Sequence, residues 1–309
     1  YILFNLIIIC LNKKIKLKGN MTLASEIGKL LPGRIYSFLK PQYHFFRAKS
    51  MLKKRGGSYS YDKVYGGWRV HVPMPKNGKM LILARTFKEF NRAARFGSNK
   101  KDLVWKWLNW VFPNQVVYDV GSANGLEGFT ASHLNNSQVI FVEPYTPSIE
   151  TILKTVSLTK IKKPKCSFEI VHAACSNKED YKKLLMHGLP LPGETLNTYG
   201  SRLNYEEGGG RERKNVTFSQ WVKGITLDAL HYNYNLKIPQ FIKIDVDGHE
   251  DQVINGSKKI IRSQKVKSWA IEITGEKRIK YITRIMTKHN YIIAGDFDHY
   301  PGYKPQTID

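Results

Sequence analysis

Short apolar runs alternate with amphipathic stretches over residues 100–295, a pattern typical of a parallel β-sheet flanked by helices. The run 116–120 predicts a buried strand, and the apolar positions from Leu126 to Leu134 have roughly helical spacing. Further strands are predicted at 139–142, 168–174, 241–246 and 269–273, with a last strand near 291–295. Helices are predicted at 101–112, 147–159, around 253–261 and near 277–289. We therefore expect an α/β fold.

Composition and turn residues divide the chain into three regions. We expect a basic N-terminal extension over 1–57, a small β and helical accessory region over 58–100, and the main domain over 101–309. Asn77-Gly78 predicts a hairpin turn in the accessory region. The apolar run 1–11 is too short to span a bilayer, which takes about 20 residues. Because translation can begin at Met21, we expect residues 1–20 to be disordered or a non-native start.

A polar insert at about 177–223 interrupts the main domain. Connections of this length inside a compact domain are usually functional lids or recognition elements. The insert carries four aromatic residues that either stack on a sugar or bury themselves in a small hairpin: Tyr199, Tyr205, Phe218 and Trp221.

The strand 116–120 leads into a glycine turn, Asp119-x-Gly121-x-x-x-Gly125. Such a turn lets a ligand approach bare backbone beside the N-terminus of a helix. The spacing differs from the G-x-G-x-x-G of dinucleotide sites, which disfavours a nicotinamide dehydrogenase. A carboxylate at Asp119 suits a cationic ligand better than a pyrophosphate, and S-adenosylmethionine carries both a sulfonium and an ammonium group.

A second acid supports a nucleoside cofactor. Glu143 ends the strand 139–142, at about the 20-residue offset from Asp119 at which an acid accepts hydrogen bonds from ribose hydroxyls. A parallel sheet without a ligand does not require this acid.

The strand that begins at Phe241 ends in the acid-rich sequence IDVDGHE, with Asp245, Asp247, His249 and Glu250. The carboxyl ends of strands line the ligand crevice of a doubly wound sheet. A nucleophile that carries a proton must lose it as it accepts a methyl group, so we expect a base at this edge. His249 has a suitable pKa, and Asp245 or Asp247 is the alternative base or orients the histidine.

The formal net charge is +24, and between Lys13 and Arg55 there are twelve Lys or Arg residues and a single acid. This basic arm favours an anionic partner, and its apolar and aromatic residues favour a membrane surface over nucleic acid. The alternative is that this segment packs on the main domain. The three cysteines, Cys10, Cys166 and Cys175, form no paired motif, so we interpret them as reduced thiols of a cytoplasmic protein.

Taken in order, five sequence segments resemble the FkbM-type S-adenosylmethionine-dependent methyltransferases: DVGSANG, VEP, ITLDAL, KIDVDGHE and WAIEI. The resemblance covers about residues 100–295, and KIDVDGHE after ITLDAL is its specific part. The family more often has Glu at the position of Asp247, and the position of His249 is variable.

The resemblance implies a class I methyltransferase fold, that is, a Rossmann-like and mostly parallel twisted sheet with helices on both faces and one antiparallel strand near the C-terminus. It also implies methyl transfer from S-adenosyl-L-methionine to a hydroxyl oxygen of a saccharide, glycan or natural product. The implied catalytic residues are Asp245, His249 and Asp247. The implied cofactor contacts are Asp119, Gly121, Ser122, Asn124, Gly125, Glu143, Pro144, Ala174 and Asp245.

Three alternatives stay open at this point. A divalent cation bound by Asp245, Asp247, Glu250 and Glu272 is less favoured, since the spacing matches no EF-hand, and we expect no metal. A nucleic-acid methyltransferase would show a D/N-P-P-Y motif where this chain has IDVDG. A non-catalytic binding protein would not need Asp119, Gly121, Glu143 and Asp245 together.

Overall fold

The computed structural model describes residues 33–75, 78–98, 103–162, 166–194, 197–200 and 216–294. The strands are β1 (Ser58–Asp62), β2 (Gly67–Pro73), β3 (Lys79–Ala84), β4 (Val116–Val120), β5 (Gln138–Val142), β6 (Phe168–Val171), β7 (Ala174–Cys175), β8 (Tyr181–Met186), β9 (Thr198–Tyr199), β10 (Phe218–Ile225), β11 (Phe241–Ile244) and β12 (Ser268–Ile271). The helices are α1 (Gly33–Lys54), α2 (Phe87–Arg95), α3 (Leu103–Trp110), α4 (Leu126–Asn135), α5 (Thr146–Lys162), α6 (Leu227–Tyr232), α7 (Glu250–Asn255), α8 (Lys258–Ser263) and α9 (Glu276–Lys288).

The chain divides into two compact units, residues 1–50 and 51–309. Within the first unit the structure describes residues 33–50, which belong to α1, and this helix has no acidic residue in its first turn. Residues 1–32 of the predicted N-terminal extension lie outside the described residues, so the expectation for residues 1–20 stays a prediction. Of the helices that the structure describes, none is long and apolar enough to cross a membrane.

The predicted small β unit is confirmed as a three-stranded antiparallel sheet, β1-β2-β3. Its inward-facing residues, such as Val70, Val72 and Ile82, are fully buried, as the alternating pattern indicates. Asn77 of the predicted turn lies outside the described residues. Helix α2 follows this sheet and begins at an N-cap, Thr86, whose hydroxyl accepts from the backbone N–H of Glu89 at 3.2 Å.

Five parallel strands form the central sheet, in the order β12-β11-β4-β5-β6. All five residues of β4 are buried, as expected for the middle strand of a parallel sheet that is covered on both faces. Trp107 and Leu108 of α3 pack with Val117 on one face. The other face holds a larger apolar cluster built from β4, β5 and β11 together with residues of α6, α7, α8 and α9. The predicted Rossmann-like sheet with helices on both faces is thus confirmed.

The order of the strands sets the position of the crevice. From β4 the chain proceeds outward through β5 and β6, and it returns to the other side of β4 with β11 and then β12. The order in which successive strands are added to the sheet therefore reverses between β4 and β11. This position is the switch point where ligands bind in doubly wound sheets. The glycine turn follows β4, and the acid-rich segment follows β11. These two strands are direct neighbours in the sheet, so the two segments lie at the same edge.

The insert builds a second sheet, with strand order β7-β10-β8-β9. β8 and β10 pair antiparallel along six residue pairs, from Phe218 opposite Met186 to Lys223 opposite Tyr181. Leu184, Met186 and Val222 are buried on its inner face with Tyr145 and Tyr199. Tyr199 is therefore part of the sheet core, whereas Trp221 and Phe218 are exposed. Tyr205 lies outside the described residues.

Three predicted elements differ from the structure. The strand predicted at 168–174 is divided between β6, in the central sheet, and β7, in the second sheet. The helix predicted around 253–261 is two short helices, α7 and α8, separated at Gly256, where a Cβ would lie 2.1 Å from the carbonyl oxygen of Ser176. The predicted strand near 291–295, and with it the antiparallel strand near the C-terminus, is wrong for the described residues 291–294, which follow α9 without forming a strand.

Candidate active site

The glycine turn between β4 and α4 has a left-handed backbone at both glycines, with φ of 70° at Gly121 and 78° at Gly125. The Gly121 N–H donates to the carbonyl of Val142 at 2.9 Å, which fastens the turn to β5. A Cβ on Gly121 would lie 1.8 Å from the backbone carbonyl oxygen of Asp245. The turn therefore requires glycine both for its backbone conformation and for the close approach of the segment after β11.

Asp119 lies on β4 directly before the turn and is 1% exposed. Its Oδ2 accepts from the backbone N–H of Gly128 in the first turn of α4 at 3.0 Å. Its Oδ1 lies 3.3 Å from the ammonium of Lys243 on β11. We expected this carboxylate to face a cationic ligand, but the protein itself supplies the cation. The difference arises because Lys243 is directly opposite Asp119 in the register of the parallel strands.

Lys243 is the site residue that the sequence analysis did not single out. Besides its ion pair with Asp119, its ammonium donates to the carbonyl oxygen of Gly121 at 2.9 Å and lies 3.7 Å from Oδ2 of Asp245. Burial disfavours its charged form, but the carboxylates of Asp119, Asp245 and Glu127 together raise the pKa of Lys243 well above its ordinary value. The available signal was a lone charge within the apolar strand Phe241–Ile244, because a lysine is rarely buried unless it is paired.

Ser122 and Asn124, inside the glycine turn, are both buried. The Ser122 hydroxyl donates to the carbonyl of Asp119 at 2.5 Å, so it stabilises the turn itself. The amide of Asn124 is different: neither its Oδ1 nor its Nδ2 has a hydrogen-bond partner within the described part of the chain. Since a buried amide without partners is costly, a polar ligand at the N-terminus of α4 would stabilise it.

Glu143 ends β5 next to the turn and is 6% exposed. One carboxylate oxygen accepts from the backbone N–H of Ala123 at 2.7 Å, and the other accepts from that of Tyr145 at 2.9 Å. Burial raises the pKa of Glu143 to about 7, although both hydrogen bonds oppose the shift. The carbonyl of the adjoining Pro144 accepts from the Gln220 side chain at 2.9 Å, which links this edge to the second sheet.

The segment after β11 places the three predicted catalytic residues at the same edge. The side chain of Asp245 is 39% exposed at the switch point. Asp247 has φ of 55°, and Gly248 after it has φ of 105°, so the chain turns sharply here. His249 is the N-cap residue of α7, although its side chain makes no cap hydrogen bond. The role of His249 as a base stays a prediction.

Two glutamates near this edge have raised pKa values. Glu250 is almost completely buried; it accepts from the N–H of Gly248 at 2.9 Å, and burial raises its pKa to about 7. Glu272 follows β12 and is exposed, and its backbone N–H donates to the carbonyl of Ile244 at 2.9 Å. The nearby charge of Asp245 is the main cause that raises the pKa of Glu272 to about 7. These acids were considered above as metal ligands; within the described ranges no group of three or more His, Cys, Asp or Glu side chains is arranged to hold a metal ion.

Ala174 is the predicted cofactor residue that lies in the second sheet. It is on β7, opposite Gly224 of β10, and its side chain packs in the apolar cluster around Tyr145. The structure thus brings the glycine turn, Glu143, Pro144 and Asp245 to the edge of the central sheet, and places Ala174 beside that edge.

Comparison with known proteins relates this site to one family. The model of the methyltransferase FkbM domain matches residues 119–293, which is more than half of the chain. Among solved structures, an FkbM methyltransferase from Methylobacillus flagellatus KT shares 12% identity with a TM-score of 0.39, over 65% of this chain and 48% of that one. A precorrin-6y C5,15-methyltransferase from Geobacter metallireducens GS-15 shares 12% identity with a TM-score of 0.35, over 62% and 72%.

The chain therefore spans about half the length of the first of these structures. No curated protein matches it. At these TM-scores neither structure adds to the argument from the family match and from the sheet.

Proposed function

The chain belongs to the FkbM methyltransferase family, and from this premise we propose that it transfers a methyl group from S-adenosyl-L-methionine to a hydroxyl oxygen. Its central sheet is that of the Rossmann-like class I methyltransferases. One observation carries the proposal: the switch point between β4 and β11 places the glycine turn, Glu143 and Asp245 at one edge of the sheet. This arrangement offers a cofactor side and an acceptor side next to each other.

The residues of the turn fit the cofactor. Among the described residues the buried amide of Asn124 has no hydrogen-bond partner. Gly121 and Gly125 leave the backbone bare, and Glu143 is an acid at the end of the neighbouring strand. We infer that Asn124 and the N-terminus of α4 hold the polar groups of the cofactor and that Glu143 accepts from its ribose hydroxyls. When bound, S-adenosylmethionine supplies an electrophilic methyl group on its sulfonium.

The protein's task is then to orient the acceptor hydroxyl in line with that methyl group and to remove its proton. Asp245, Asp247 and His249 stay the proposed catalytic residues, and Glu272 joins them as a candidate base. A base is most effective when its pKa is near the working pH, which favours Glu272, whose pKa is raised to about 7. A base contributes about 10²–10⁴-fold to such a reaction.

The cofactor assignment is tested by calorimetry with S-adenosylmethionine and with its demethylated product. We expect binding by the wild-type chain and weaker binding by Asn124→Ala, with Asn109→Ala as the control because Asn109 lies on α3 and its amide donates to Trp105 of the same helix. Absence of binding at millimolar cofactor by a folded protein would refute the assignment. Incubation with EDTA tests the alternative of a bound divalent cation. Full activity after chelation would exclude a required metal ion.

For the acceptor, we propose a hydroxyl on a saccharide, glycan or natural product, by the family resemblance. The basic arm supports an acceptor at an anionic membrane surface, since each Lys or Arg close to such a surface contributes about 1 kcal/mol at low salt. Pelleting with anionic and with neutral liposomes over a salt series tests this. Mass spectrometry of candidate saccharides after incubation with the cofactor identifies the product. Preferential binding and methylation of RNA or DNA would instead assign the chain to the nucleic-acid methyltransferases.

A further inference from the structure

Lys243 on β11 is the one buried basic residue in the part of the chain that the structure describes. Lys243 is 5% exposed, and its neighbours on the strand, Ile242 and Ile244, are completely buried. Burying an ammonium without partners is strongly unfavourable, so its position has to be stabilised by specific acceptors. The ammonium donates a hydrogen bond to the Gly121 carbonyl oxygen at 2.9 Å, and it forms ion pairs with Asp119 Oδ1 at 3.3 Å and with Asp245 Oδ2 at 3.7 Å.

The three oxygen atoms that contact the ammonium belong to different parts of the site. Asp119 is on β4 and also accepts from the N–H of Gly128, so it connects Lys243 to the start of α4. The carbonyl of Gly121 belongs to the glycine turn, on the cofactor side. Asp245 follows β11, on the proposed acceptor side. A single ammonium thus contacts both sides of the switch point.

A catalytic role as a base does not fit Lys243. A lysine that removes protons near neutral pH needs a pKa well below its ordinary value. Here the surrounding carboxylates raise the pKa of Lys243 despite its burial, so the ammonium stays charged throughout the physiological range. What the contacts supply is a fixed positive charge that holds oxygen atoms in place.

We propose that Lys243 is a positioning residue that fixes the Gly121 carbonyl and the Asp245 carboxylate relative to each other, and so aligns the glycine turn with the acceptor side. The part of this inference that concerns methyl transfer rests on the proposed function. The competing explanation is that Lys243 only neutralises the buried charge of Asp119. The two explanations make different predictions when Asp119 carries no charge.

The test compares Asp119→Asn with the double variant Asp119→Asn/Lys243→Met. The amide that replaces the Asp119 carboxylate in both variants has no charge to neutralise, so the second substitution removes the charged contacts of Lys243 with Gly121 and Asp245. The control is Lys258→Met, at an exposed position in the first turn of α8. Hydrogen exchange of the ligand-free proteins is the first readout, and calorimetric binding of S-adenosylmethionine is the second.

We expect the amides of residues 121–128 to exchange at least about tenfold faster in the double variant than in Asp119→Asn, because a hydrogen bond to a charged donor is lost. Amides of β1–β3 should exchange at the same rate in both, and Lys258→Met should match the wild type. We also expect the double variant to bind S-adenosylmethionine about tenfold more weakly than Asp119→Asn.

Equal exchange and equal affinity in the two variants would overturn the proposal. Failure of the double variant to fold would also overturn it, since the charge of Lys243 would then be needed by the fold itself. If the wild type bound no S-adenosylmethionine but the turn still exchanged faster without Lys243, the cofactor assignment would fail and the positioning role would stand.

Discussion

Replacement of Gly121 by alanine tests the close approach that forms the proposed site. The added Cβ would lie 1.8 Å from the carbonyl oxygen of Asp245, whereas ordinary contacts are 3.4–4 Å, so the two segments must separate. Separation weakens the hydrogen bond from Lys243 to Gly121, which is charged and worth about 1.5–3 kcal/mol. The left-handed backbone, at φ of 70°, costs an alanine about 1–2 kcal/mol more. We therefore expect Gly121→Ala to reduce the free energy of unfolding by about 3–5 kcal/mol.

Gly66→Ala is the matched control. Gly66, between β1 and β2, has φ of 65°, and none of the described residues has an atom within 4 Å of an added Cβ. This variant should therefore lose only the backbone contribution of about 1–2 kcal/mol. Urea unfolding with linear extrapolation measures both variants. Equal losses in the free energy of unfolding would show that the segment after β11 does not restrict the turn. That result would refute the claim that Gly121 is required for the close approach.

Three further predictions concern titration and capping. Burial raises the pKa of Glu89 to about 7, so its contribution to stability is present below pH 4.5 and is lost as the pH rises through 7. Over that range Glu89→Gln should become more stable relative to the wild type, by on the order of 3 kcal/mol. A difference in urea midpoints that stays constant with pH would contradict this. Asp228→Ala should cost about 1–2 kcal/mol in urea unfolding, because both carboxylate oxygens accept from backbone N–H groups of α8 at 2.9 Å; a loss no larger than that of an exposed variant would contradict it. Asp247→Asn should lower the pKa of Glu272, because the charge of Asp247 helps to raise it. Carboxyl ¹³C NMR measures this titration, and an unchanged pKa of Glu272 in the variant would contradict the prediction.

Local patterns predicted the parts of the fold that depend on local sequence. The apolar run before Gly121 and the helical spacing after Gly125 were enough for β4, the turn and α4, because each signal lies within a few residues. The function of the aspartate in ITLDAL was not predicted. Asp228 caps α8, some thirty residues further along the chain, and no local pattern connects the two segments.

Pairing between distant segments was the part that could not be predicted. The sequence left a small hairpin in the insert as one of two possibilities, because β8 and β10 are separated by more than thirty residues and their register depends on side chains that meet only after folding. The same holds for Lys243 and Asp119, which face each other only because β11 aligns with β4 in one particular register. A shift by one residue would turn Lys243 to the other face of the sheet and away from its partners.

This dependence on register explains how a buried ion pair is compatible with the fold. Charges that are buried and paired seldom add stability over apolar residues of similar volume, because desolvation offsets their attraction. The pair is costly to break, however, since either partner left alone is a buried charge without compensation. Lys243 and Asp119 therefore penalise every alignment of β11 with β4 except the one that brings the ammonium to Gly121 and Asp245. On this reasoning the same contacts that align the proposed site also select the register of the two strands that form it.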